Sequence, residues 1–133
     1  MLCVFDVDTT DPSDEAKKAN AELICALTML LVPQAMRDIK ARKVPPLYKS
    51  GVKYQRQNPK ACAFRMPSDV QKRRNGDCKQ LVLWRIAELH IAGEKATPRV
   101  MWLNHRDGLQ AHIQIRRKDG TTEDPSVILG MKG

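Results

Sequence analysis

Aromatic side chains make up only 5% of this 133-residue chain. Nucleic acid bases would find few platforms to stack on, and no recognised nucleic-acid motif makes up for the shortage. Long apolar runs are also missing. The longest, LICALTMLLV at positions 23–32, falls well short of the ~20 residues a membrane span requires, and the N-terminal MLCVFDVD has neither the basic start nor the long apolar core of a secretion signal. No repeat, low-complexity tract or Gly/Ser linker divides the chain. The four cysteines, Cys3, Cys25, Cys62 and Cys78, form no CxxC pair and have no Cys/His metal spacing, which argues against zinc and for reduced thiols in a cytosolic setting. These absences lead us to expect one soluble domain over 1–133 with no metal, no cofactor and no membrane span.

What is present is the composition of a folded protein, 42% hydrophobic and 29% charged, with a net charge of +8. The excess of basic residues is spread over Lys17 and Lys18, then Arg37, Lys40, Arg42 and Lys43, then Lys72 to Arg74, then Arg116 to Lys118. Such a distribution is that of a solvated surface, and it leaves nucleic acid or another anionic partner as a weakly supported reading.

Periodicity divides the chain into a helical first part and a strand-rich second part. DPSDEAKKANAELICALTMLL offers Asp11 as an N-cap, Pro12 at the first helical position, and Ala16, Ala19, Leu23, Leu27 and Leu30 at helical spacing, which predicts an amphipathic helix ending at Pro33. QAMRDIKARK permits a second short helix, so the N-terminal helical part spans about 11–44. VPPLYKSGVKY then reads as an extended connection with a short strand around 52–55. In MPSDVQKRR, Ser68 and Gln71 have capping-box spacing, predicting a short helix that stops at Asn75-Gly76. From Cys78 to Ala92 the sequence is apolar on several sides, as expected of a central helix packed all round and closed by Gly93. Beyond it the period changes to two, in ATPRVMWLN, LQAHIQIRR and, after KDG, TTEDPSVIL, which predicts three antiparallel strands and an α+β architecture.

The thiol at the start of the central helix raises a chemical question. A cysteine there faces unpaired backbone N–H groups and the positive end of the helix dipole, both of which favour thiolate. Of the three histidines, His90 lies at the far end of the same helix, roughly 18 Å away, and is excluded. His105 falls in the turn-like NHRDG, where a solvated loop residue is the ordinary reading. His112 lies in mid-strand, alternating with Leu109, Ala111, Ile113 and Ile115, and so stands on the polar face. An acid must hold the second imidazole nitrogen, and Asp124 follows on the next strand. A two-residue hairpin loop would pair Ile115 with Asp124 and put the carboxylate on the wrong face; a three-residue loop, Lys118-Asp119-Gly120, pairs Gln114 with Asp124 and restores it. The three-residue loop is expected. The other register would leave Asp107 or Glu123 as substitutes.

GDC opening an apolar helix, AHIQIRR on a following strand, DGTTEDPSVILGM after a tight turn and the upstream PPLYKSGVKY together resemble the transglutaminase-like cysteine peptidase superfamily, and in detail its short phage and prophage members. The resemblance covers about 45–131. It implies a papain-like fold in which Cys78 attacks a carboxamide or peptide carbonyl, His112 serves as general base and acid, and Asp124 orients the imidazole. It also implies a peptide or protein substrate, or phage structural proteins as partners, and a place in the infected bacterium's cytoplasm or in the virion. The chain departs from the family in having Lys79-Gln80 after the cysteine and no upstream tryptophan, leaving Phe64, Tyr54 and Gln57 as candidates around the oxyanion. A catalytically silent virion or assembly protein using the same fold for binding is the alternative.

Overall fold

The structure is a computed structural model that describes residues 6–7, 15–56, 64–105 and 108–131. Helices and strands are mixed, as in the α+β class. In chain order they are β1 (Asp6–Val7), α1 (Glu15–Arg42), a 3-10 turn (Leu47–Lys49), β2 (Lys53–Tyr54), α2 (Pro67–Arg73), β3 (Asn75–Gly76), α3 (Cys78–Ile91), β4 (Thr97–His105), β5 (Gly108–Arg116), β6 (Thr122–Glu123) and α4 (Pro125–Ile128). A four-stranded sheet runs β1-β4-β5-β6, and β2 and β3 form a separate pair. The larger sheet is antiparallel except at its edge, where β1 adds parallel to β4.

The first part of the chain differs from the sequence expectation in two ways. The expected Asp11 and Pro12 start lies outside the described residues. One unbroken helix replaces the two expected, because Pro33 faces solvent, where water can satisfy the carbonyl that its missing N–H leaves free. The buried face is also not the leucine face. Ala21, Cys25, Thr28, Val32 and Ala35 are buried, whereas Leu23, Leu27 and Leu30 are 55%, 38% and 74% exposed. Small side chains let α1 lie close against α3, and Thr28 meets its polarity locally by donating its hydroxyl to the Ile24 carbonyl at 2.8 Å. By length and composition α1 could cross a membrane, with a mean hydropathy of 1.4 over its most apolar window. A core helix passes the same test, and the small-residue face of α1 joins the core.

α3 is the axis around which the core is built. Its Val82, Leu83, Ile86 and Ala87 join the small face of α1 and Val100, Ile113 and Ile115 of the sheet. Its Leu81 and Trp84 join a second cluster with Leu47, Val52, Val70 and Leu129. α2 begins at Pro67, but Ser68 does not form the expected capping box. Asp38 of α1 accepts both the Ser68 amide at 2.8 Å and its hydroxyl at 2.7 Å, so a tertiary carboxylate satisfies the start of the helix. The helix stops one residue earlier than expected, with Arg74 in the left-handed conformation. This frees Asn75 and Gly76 to pair with Lys53 and Tyr54.

The last expected strand contracts to Thr122–Glu123, and Pro125–Ile128 is a short helix. The Asp-Pro pair explains the difference: Asp124 is the N-cap and Pro125 takes the first helical position.

Candidate active site

Three segments bring Cys78, His112 and Asp124 together. The first is the start of α3, which is capped by Asp77. Its carboxylate accepts the Gln80 amide at 3.0 Å while the Gln80 side chain accepts the Asp77 amide at 3.2 Å. Lys79 pairs with the other Asp77 oxygen and lies over the Phe64 ring at 6.0 Å. The two polar residues that follow the cysteine are thus used to build the helix start. Immediately upstream, β3 is stitched to β2 by Lys53 donating to the Arg74 carbonyl at 3.1 Å and Gln55 donating to that of Gly76 at 2.9 Å. Gly76 sits in close quarters, since a Cβ there would stand 3.1 Å from the Val70 side chain and 3.2 Å from that of Leu81 and would need both to give way by a few tenths of an ångström. The loop that presents the thiol is therefore held from both sides.

The second segment is β5. His112 stands on the face opposite Ile113 and Ile115, as alternation requires, yet that face is covered, and the imidazole is only 4% exposed. The third segment is the β6–α4 junction. β6 pairs Ile115 with Glu123 and Arg116 with Thr122, the register of a three-residue loop, which sets Asp124 beside Gln114. His112 Nε2 donates to Asp124 Oδ2 at 2.8 Å, and Gln114 Nε2 donates to the same oxygen at 3.0 Å. The other Asp124 oxygen accepts the Val127 amide at 3.3 Å and caps α4. With Nε2 committed to the carboxylate, Cys78 is close enough to the ring to favour its protonated form.

Electrostatics follow from this arrangement. Burial alone would pull the His112 imidazolium down, but the hydrogen bond to Asp124 and the negative charge of Asp124 and Cys78 outweigh it and hold the group up at about 9. Burial would raise the Asp124 carboxyl, and the bonds from His112 and Gln114 keep it below the ordinary range. Tyr54 is half-buried; burial and then the negative charge of Cys78 keep its hydroxyl protonated beyond the usual tyrosine range. It is therefore available as a hydrogen-bond donor near the sulfur.

The raised imidazolium makes a prediction for stability. Below about pH 6.5 folded and unfolded chains both carry the proton, so the full gain is present; it is lost as pH rises through about 9, where the folded state also gives the proton up. On the acid side the lowered Asp124 carboxyl gives stability that disappears as pH falls below its ordinary value. Melting curves of the wild type and of His112→Gln should therefore converge between about pH 6.5 and 9.5, with a pH-dependent difference on the order of 2 kcal/mol. Parallel curves would remove the ion pair.

The other sequence candidates are placed elsewhere or undescribed. His90 Nε2 bonds the Ala96 carbonyl at 2.8 Å and is structural. His105 belongs to β4 rather than to a turn. Asp107 and Gln57 lie outside the described residues, as do Cys3 and Cys62. Glu123, the substitute acid, points away from His112 to Tyr48, Arg85 and Arg117. Gln114 was missed in the sequence, although its place two residues from His112 on one strand face was a readable signal. Among the described residues, no cluster of three or more His, Cys, Asp or Glu could hold a metal.

Compared with known proteins, the chain matches no family model, no curated protein and no solved structure.

Proposed function

We propose that this chain is a transglutaminase-like thiol enzyme on a papain-like scaffold, of the kind phages and prophages encode, cleaving or transferring acyl groups of peptides or carboxamides. The observation that carries the reading is one buried imidazole bonded to Asp124 at 2.8 Å and held in its charged form by that carboxylate and by Cys78 at a capped helix start.

In this reading the Cys78 sulfur attacks the carbonyl carbon. The S–C bond forms, the C–N bond breaks, and His112 gives its proton to the departing amine. Water or a second amine then attacks the thioester while His112 takes up its proton, releasing an acid or a new amide and restoring the thiolate–imidazolium pair. The Cys78 amide and the Tyr54 hydroxyl are the candidates for stabilising the oxyanion. Asp124 stays ionised and holds the ring.

The test uses p-nitrophenyl acetate as a generic acyl donor. Stoichiometric release of p-nitrophenolate with the acetyl group mapped to Cys78, absent in Cys78→Ala and much slowed in His112→Ala, is the expected result. Acetylation of Cys78 no faster than that of the unfolded chain would reject the enzyme.

A second reading, a catalytically silent virion or assembly protein, is favoured by one observation: the exposed row of Leu23, Leu27 and Leu30 along α1. It takes the place of the first if Cys78 does not acylate.

A further inference from the structure

We infer that Glu123 and Arg85 form a positioning clamp that fixes the strand leading into Asp124 to the helix carrying Cys78. The inference rests on the thiol-enzyme reading above.

Glu123 and Asp124 are adjacent carboxylates sent to opposite sides by the strand alternation. Asp124 goes to His112 and Gln114. Glu123, opposite Ile115 in β6, goes toward α3. One of its oxygens accepts Arg85 Nε at 2.7 Å and the Tyr48 hydroxyl, and the other accepts a guanidinium N–H of Arg117 at 2.6 Å. Arg85 lies about two turns along α3 from Cys78 and so on the same side of the helix. It is itself fixed three ways: to Glu123, to Glu88 at 3.0 Å, and by its guanidinium over the Tyr48 ring at 5.0 Å. Glu88 in turn accepts the Leu47 amide, and Arg117 holds Glu94 with two bonds. Arg85, Glu88 and Glu123 are largely shielded from solvent, which limits the screening that makes surface pairs weak, whereas the Arg117–Glu94 pair is more exposed.

Two consequences reach the site. The clamp sets the distance between α3 and β6 independently of the His112–Asp124 bond, so the imidazole receives a carboxylate already in place. It also balances the Glu123 charge locally, so that Asp124, at the start of α4, and Cys78 on α3 are the anionic groups acting on His112, with the Tyr54 hydroxyl of β2 feeling the charge of both. Glu123 and Arg85 touch no reacting atom in this scheme. They act through Asp124.

The experiment measures iodoacetamide modification of Cys78 at pH 6 and the titration of the His112 ring by NMR. The proteins are the wild type, Glu123→Gln and Arg85→Lys, each also combined with Asp124→Asn. The expected result is a partial loss of alkylation with a lower His112 midpoint in each single variant, and no further loss when Asp124→Asn is already present. Unchanged profiles with only a lower melting temperature, or losses that multiply with that of Asp124→Asn, overturn the clamp. If Glu123→Gln does not fold, Arg85→Lys decides by the same criteria. A wild-type thiol indifferent to His112→Ala overturns the enzyme reading and the clamp with it, whereas a wild type that depends on His112 alongside variants that match it overturns the clamp alone.

Discussion

At pH 6, iodoacetamide should modify Cys78 severalfold faster in the wild-type chain than in His112→Ala. A thiol of ordinary pKa, about 8.5, is under about 1% ionised at that pH. His112 is held up at about 9, so at pH 6 it is an imidazolium, and its charge favours the sulfur anion of Cys78. Substitution by alanine removes that charge and leaves only the helix start to favour thiolate. The lower intrinsic reactivity of a stabilised thiolate trims the ratio below what ionisation alone would give. Asp124→Asn should fall between the two, because the ring stays in place but loses the carboxylate that keeps it charged. Cys25, fully buried in the core, serves as an internal control that should stay unmodified until the protein unfolds. The site of modification is read by mass spectrometry, and equal rates at pH 6 in wild type and His112→Ala would sink the ion pair.

The second large effect concerns the scaffold. Trp84→Ala should lower stability by about 3–5 kcal/mol, the range for truncating a fully buried aromatic residue, as read by urea denaturation. Trp84 is completely buried on α3, among Leu47, Val52, Val70, Leu81 and Leu129. That cluster backs the β2–β3 pair and α4, so the cavity would open behind two of the segments that frame the site. Trp84→Phe separates volume from polarity. The indole N–H has no hydrogen-bond partner among the described residues, so phenylalanine removes a buried unsatisfied donor while leaving a small void. Its loss should stay within about 1–2 kcal/mol. If Phe proved as costly as Ala, the indole nitrogen would have to be bonded, and this account of the packing would be wrong.

The geometry of the candidate site was legible in the sequence wherever local rules acted alone. A turn ending in Asp77 before an apolar run marks the start of α3. Strand alternation puts His112 and Gln114 on one face, and loop length sets the register that brings Asp124 beside Gln114. Misreadings arose where tertiary contact overrode local preference. α1 carries apolar residues on two sides, and periodicity alone favours the larger side chains; close packing on α3 selects the small ones instead. Pro33 reads as a terminator, but on the solvent side a helix tolerates it. Ser68 has the spacing of a capping box, yet a carboxylate from α1, distant in sequence, caps α2. The Glu123 clamp could not be read at all, because its members come from the 3-10 turn, α3 and the hairpin, and nothing local links them.

Because Cys78, His112 and Asp124 sit on separate elements, their association does not arise from neighbours in sequence. During synthesis the ribosome delivers Cys78 before His112 and Asp124, and the sheet must dock on α3 before the three can meet. A nascent or misfolded chain would therefore carry a thiol without its imidazole neighbour. Reactivity would be switched on by completion of the fold, and thiol labelling would double as a clock for native-state assembly.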